Sequence, residues 1–334
     1  MKIRGLWLIV PWVLFILAAL GWVFYWNYLG NETERRLRAW VFEQNAAGGS
    51  AEIGRVVRHG FPVLMRLELQ DIAYAPARGG WRAATQRADL NIDLLNPQHL
   101  ILEAEAPIAI SRSNGSITNV TADQLIASVR TARGSLAVAG VEADNLVLDD
   151  PAQEGVLRVT KLVTNMRPDP RAAGEYQLQF DLTSFTLPRP VRSFEAFGQD
   201  VAALKARIVI EGGAALLDSS PNDPLGPWRE AGGRLRFEGI ELNWGPLETI
   251  GTGEGGLDEQ RRLNGRLVLP VDRPAPVLNA IATGPNVDDD ARQALQLLAA
   301  GYLVTGDDIT LDIGARDGVL NIEGLPVRPL PPVY

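Results

Sequence analysis

The chain has 334 residues, of which 46% are hydrophobic and 22% charged, a composition that folds and does not stay disordered. Its 32 basic and 40 acidic side chains leave a net charge of −8, which argues against a general nucleic-acid binder with a basic face. There is no cysteine and there are only two histidines, His59 and His99. Disulfides, thiolate nucleophiles and thiolate metal sites are therefore excluded, multi-histidine metal sites nearly so, and no cofactor is expected.

Lys2 and Arg4 precede an uncharged run from Gly5 to Gly30. Its core, Leu6 to Tyr28, exceeds the roughly 20 helical residues that cross a hydrocarbon layer of about 30 Å. Leu6, Trp7, Trp12, Trp22, Trp26 and Tyr28 are the candidate anchor residues, with aromatics at both ends where interfacial belts form. The competing reading is a cleaved signal peptide. The apolar run passes the weak cleavage site Ala18-Ala19-Leu20-Gly21 without ending, so residues 1–30 read as an uncleaved, single-pass transmembrane anchor. Lys2 and Arg4 favour a cytoplasmic N-terminus, although Arg35, Arg36 and Arg38 follow the span. The expectation is an inner-membrane protein whose body is periplasmic.

Residues 31–49 read as a juxtamembrane helix and linker. Leu37, Trp40 and Val41 share one face of a helix over 32–45, which lies either on the membrane or on the body, and Gly48-Gly49 marks a boundary.

From residue 50 the dominant period is two. Met65, Leu67 and Leu69 alternate with polar residues, as do Ala88 to Leu94, Tyr176 to Leu182, Leu204 to Ile210, Leu235 to Trp244, Ile309 to Ile313 and Leu320 to Ile322. Such alternation predicts strands with one buried and one wet face, as in antiparallel sheets. The fold class is mainly β with a few short helices: an N-terminal transmembrane helix, then a large antiparallel, curved or groove-forming β-sheet domain over 50–325. Residues 124–130 fit either a strand or a helix, and their context favours a strand. Short helices are predicted over 222–231, 276–282 and 287–300, the last N-capped by Asn286 with Asp288, Asp289 and Asp290 at its positive end. Asn114-Gly115, Asn264-Gly265 and Asp317-Gly318 are predicted hairpin turns. Residues 81–102 and 233–257 each pair two alternating runs around a proline turn, which suggests similar halves over about 50–185 and 200–325. Residues 326–334 form a Pro-rich tail.

Candidate chemistry is sparse. Gly251 to Gly256 contains a formal G-x-G-x-x-G, but a strand and not a helix follows it, so no helix N-terminus meets a phosphate, and a Gly-rich turn or bulge is expected. The Asp288–Asp290 run suits helix capping better than a cation site, because successive helical side chains diverge. Asp149-Asp150 and Asp307-Asp308 read as solvated pairs beside turns. Neither histidine has a nucleophile elbow to serve. The chain is read as non-enzymatic.

Four blocks carry a resemblance. They are Arg58-His59-Gly60-Phe61-Pro62 before a strand; Gly80-Trp81-Arg82-Ala83 before another, with Asn96-Pro97-Gln98-His99-Leu100; Trp228 to Gly233 with Leu242 to Leu247; and Ala315 to Leu320 with Gly324-Leu325-Pro326-Val327. In this order behind an anchor, the chain resembles the DUF2125 family of proteobacterial, membrane-anchored proteins across about residues 5–332. The first block departs from the pattern at Val63-Leu64-Met65. The family architecture is similar to AsmA-type envelope proteins, and that similarity implies a role in lipid handling between membranes. The expected partners are the membrane and a phospholipid or other envelope lipid, held by Leu90, Ile92, Phe180, Ile208, Phe237, Leu242 and Trp244 lining a groove or core. The alternative is a non-enzymatic scaffold or assembly factor that binds an envelope protein through its tail.

Overall fold

A computed structural model describes residues 6–77, 79–151, 155–189, 197–218, 223, 225–245, 247–284, 287–305 and 309–333. Helix α1 runs unbroken over Leu6–Ala46. The predicted anchor and the predicted juxtamembrane helix are thus one element, because nothing between Gly30 and Leu37 breaks it and Glu32 pairs with Arg35 and Arg36 along its face. At 1.5 Å per residue α1 is about 60 Å long, twice a hydrocarbon layer. It is the one helix among the described residues long and apolar enough to cross a membrane.

The rest is one large antiparallel sheet of 17 strands. Its first strands are β1 (Ser50–His59), β2 (Met65–Ala75), β3 (Trp81–Ile92), β4 (His99–Ala104), β5 (Ile108–Arg112), β6 (Ile117–Thr121), β7 (Gln124–Ala132), β8 (Ser135–Asp149) and β9 (Val156–Pro168). Then come β10 (Tyr176–Thr186), β11 (Asp200–Glu211), β12 (Arg234–Trp244), β13 (Leu247–Leu257), β14 (Leu263–Val271), β15 (Ile309–Arg316), β16 (Val319–Ile322) and β17 (Leu325–Pro329). Pairing follows chain order, except that β3 pairs with β4 along one half and β5 along the other, β8 likewise with β7 and β6, and β4 pairs across with β7. The short helices are α2 (Gly226–Glu230), α3 (Pro274–Ala282) and α4 (Asp289–Thr305). The ambiguous residues 124–130 lie within strand β7.

A crease crosses the sheet from β1 to β11. At one level each strand skips a pairing: Gly54 opposite Asp71 and Gln86, then Asn145 opposite Thr160, Ser184 and Ala202. Between them, the same level separates β4 from β5 and β6 from β7. Asp71, Asn145 and Ser184 carry left-handed φ values of 53°, 51° and 49°. The apolar alternation slips by one residue there. Leu67 and Leu69 give way to Ile72, Val141 and Ala143 to Leu146 and Leu148, and Phe180 and Leu182 to Phe185. Ile53 and Ile72, beyond the crease, still pack into the cluster formed by Met65, Leu67 and Leu69 before it.

Two cores close the ends. At the start, Leu29, Trp22, Tyr25, Trp26 and Leu37 of α1 cover Met65, Leu67, Leu90 and Ile92. At the finish, α3 and α4 bury Leu278 and Leu295 against Val271, Leu311 and Ile322. Helix α4 is capped by Asp288, whose Oδ1 accepts from the Ala291 backbone N–H at 2.8 Å. Asn286, the predicted cap, and the pair Asp307-Asp308 lie outside the described residues. The last strand, β17, occupies the start of the predicted tail, and its prolines blunt the sheet edge. Asn264-Gly265 lies inside β14, not in a turn; the chain reverses one step earlier, where Asp258 Oδ1 accepts from the Arg262 N–H at 2.8 Å. Asn114-Gly115 and Asp317-Gly318 are hairpin turns as expected.

Candidate functional site: one apolar sheet face between two helical caps

Side chains directly opposite in an antiparallel pair share a face, so the register traces that face across the molecule. Leu67 pairs with Leu90, Leu90 with Leu102, and Leu102 with Ala127. The line continues through Val141, Thr164, Phe180 and Ala206 to Ile240. A parallel row ends on Ile208 and Phe237, and a third on Leu204 and Leu242. The opposite face holds Glu68, Asp89, Glu103, Glu142, Asp181, Lys205 and Glu241.

All seven predicted lining residues fall on the apolar face, in three settings. Leu90 and Ile92 are buried beneath α1. Leu242 and Trp244 pack against the α3–α4 core. Phe180, Ile208 and Phe237 are half-buried between the two caps. Among the described residues no helix packs on β4 to β10, and Leu100, Leu102 and Val129 on this stretch are 38%, 38% and 40% exposed.

The trough deepens at the Gly255 end of β13. Gly251, Gly253 and Gly255 present no side chain on the apolar face, and Gly255 pairs with Gly265. This run is strand interior and not a turn, and the expected bulge falls in its pairing with β12, where Phe237 and Ile240 stand opposite Gly253 and Gly251; the neighbours of the glycines use their space. A Cβ at Gly251 would stand 2.3 Å from Leu269 Cδ2, and one at Gly253 2.5 Å from the Arg266 carbonyl oxygen. Beyond them lies an apolar cavity of about 390 Å³, lined by Leu235, Phe237, Leu267, Ile313, Leu320 and Val333.

The predicted anchor residues divide as well. Leu6 and Trp7 lie in the first turn of α1. Trp12 and Tyr28 point outward, whereas Trp22 and Trp26 turn to the body. Trp22 Nε1 donates to the Pro62 carbonyl at 2.7 Å and Trp26 Nε1 to that of Leu64 at 3.1 Å. The 32–45 segment also packs on the body: Trp40 stacks near Tyr74, and Arg58 donates to Glu34 and Asn31.

The polar face spends its charges on itself. Arg171 donates to Asp169 at 2.8 Å and to Glu238 at 3.0 Å, and Arg236 donates to Glu238 at 2.8 Å and Glu211 at 3.1 Å. The Arg171 hydrogen bonds hold the Asp169 and Glu238 carboxyls below their ordinary range; Asp169 and then Glu238 raise the Arg171 guanidinium, and Glu211 and then Glu238 raise that of Arg236. Asp150 is not a solvated residue: it is buried and accepts from Arg112 at 3.2 Å and Thr118 at 3.3 Å. His59 stands 3.4 Å from Glu68, whose carboxyl is held low first by a hydrogen bond from Gln70. Sequence reasoning missed the crease and the glycine trough. The first had a signal, the one-residue slip in alternation; the second was visible as alternate glycines in a strand-length run.

These features define a class: a β-sheet protein with a helix fit to cross a membrane and one long apolar face. The chain belongs to the family described as an uncharacterized protein conserved in bacteria (DUF2125), whose model matches residues 26–331. No curated protein and no solved structure matches it. The quoted family blocks have structural reasons. Gly30 lets Arg58 lie across α1, a Cβ there standing 3.1 Å from its Nη1, and Gly233 lies under the Trp228 indole, a Cβ there standing 2.3 Å from Nε1.

Proposed function

We propose that this protein is a membrane-anchored, non-enzymatic module that holds the acyl chains of an envelope lipid on its apolar face. The observation that carries the reading is the uncovered stretch of that face between the α1 cap and the α3–α4 cap. Each methylene moved from water onto such a surface contributes about 0.8 kcal/mol, so a chain lying along Leu102, Phe180 and Ile208 is held without any polar contact. The glycine trough fits the same ligand. The most perturbed carboxylates are already consumed by arginines, which supports binding over catalysis. Lys2 and Arg4 before α1 support a cytoplasmic N-terminus, an inner-membrane anchor and a periplasmic body.

The protein-scaffold alternative rests on a free tail. Here Leu330 N–H donates to the Gly318 carbonyl at 2.7 Å and Val333 N–H to that of Arg261 at 2.9 Å, so the tail is engaged by its own body. The test uses the full chain, because removing residues before 47 strips Leu29 and Trp26 from the first core. A photo-crosslinking residue is placed at Phe180 or Ile208, and at Gln179 or Arg207 on the opposite face. After irradiation in cells, lipid-mass adducts are expected at the first pair only. Equal labelling of both faces, or adducts to protein alone, overturns the reading.

A further inference from the structure

We propose that two adjacent loop tips, residues 60–64 and 93–96, enter the bilayer beside α1 and seat the open end of the apolar face on lipid. The inference deepens the reading above and rests on α1 spanning the membrane. Val63 and Leu95 are 81% and 86% exposed, and Phe61 is 53% exposed. Loop tips ordinarily carry small or polar turn residues. A single exposed apolar side chain needs no explanation, but these stand together: Met65 pairs with Ile92, so the two loops join β2 and β3 at one level.

Helix α1 fixes the depth of both tips. Trp22 and Trp26 donate to Pro62 and Leu64, and the Tyr25 hydroxyl donates to the Leu94 carbonyl at 2.9 Å. At about 1.5 Å per residue, Trp22 and Trp26 stand roughly 24 and 30 Å along the helix from Leu6. That is the far boundary of a hydrocarbon layer about 30 Å thick that begins at Leu6. The hydrogen bonding suits that depth. A loop at the boundary of an apolar layer is favoured where protein satisfies the carbonyls nearest that layer's edge. Those of Pro62, Leu64 and Leu94 are satisfied by α1, and that of Gly60 accepts from Val63 and Leu64 N–H. Residues 60–65 carry no charge; the nearest charges stand at the bases of the tips, Arg66, whose Nε donates to Asn91 at 3.1 Å, and Asp93, whose Oδ1 accepts from the Leu95 N–H at 2.9 Å, where the polar headgroups begin. The occupant is therefore the same bilayer that α1 crosses.

The chain has no cysteine, so single reporters need no background removal. Val63→Cys, Leu95→Cys, Phe15→Cys and Ile117→Cys are each labelled with an environment-sensitive fluorophore in the full chain. Each is reconstituted in phosphatidylcholine vesicles containing lipids with a shallow or a deep nitroxide. Ile117 is an exposed control near the opposite end of β3, since its partner Ser111 pairs with Arg82. The expected result is strong quenching of Val63→Cys and Leu95→Cys by the shallow nitroxide, of Phe15→Cys by the deep one, and none at Ile117→Cys. Quenching at Phe15→Cys, with the two tips behaving like Ile117→Cys, overturns the inference, leaves the anchor standing and assigns the tips to a protein partner. Absence of quenching at Phe15→Cys overturns the anchor reading and the inference with it.

Discussion

Asp71 shows how one backbone angle shapes this sheet. A left-handed conformation costs an ordinary L-residue roughly 1–2 kcal/mol, less for Asp and Asn, whose short side chains tolerate it. The crease uses an Asp, an Asn and a Ser for this, at Asp71, Asn145 and Ser184. Asp71→Val is expected to lower stability by about 1–2 kcal/mol, while Asp71→Gly leaves it unchanged or slightly raised, as read by thermal unfolding of the full chain in detergent. Asp169 makes a second test. Its carboxyl is held below the ordinary value by Arg171, so its contribution is complete above that ordinary value, near pH 4, and is lost as pH falls toward the depressed one. Wild type should therefore exceed Asp169→Asn in melting temperature at pH 7, and the gap should begin to close only below about pH 4. A gap that is constant down to about pH 3 would show that Asp169 acts without its charge.

At the scale of elements, the alternating runs were legible because burial of one face imposes period two locally, and nearly every such run is a strand. The glycine run was not, because glycine signals a turn when read alone and a strand only when Leu267 and Leu269 of the next strand are known to fill its space. Helix α1 was divided at Gly30 for a similar reason: composition changes there, but the backbone continues under cover of Arg58. The packing gives a direct contrast. Gly251→Val forces a side chain into Leu269 and should cost about 1–3 kcal/mol. Gly314, where an added Cβ meets nothing within 4 Å, should accept alanine with no loss and a gain of up to about 0.5 kcal/mol. Denaturant midpoints of the two variants against wild type decide it.

For the whole molecule, the apolar face was readable but its cover was not. Alternation is a property of a strand, whereas cover depends on where α1, α3 and α4 dock, far away in sequence. Leu67, Leu90 and Leu102 make this concrete. They pair in series on one face, yet they are fully buried, buried and 38% exposed, because α1 reaches the first two and not the third. The same seven lining residues, indistinguishable in the sequence, thus serve two closed cores and one open trough. Leu67→Ala should cost about 2–5 kcal/mol, as a leucine removed from a filled core does. Leu102→Ala, one strand beyond the cap, should cost about 1 kcal/mol or less, because water already reaches it and no cavity is left. Unfolding of both variants in the same detergent measures the difference directly. Similar losses at the two positions would mean that something covers the middle of the face as tightly as α1 covers its start, and the trough would then be a core.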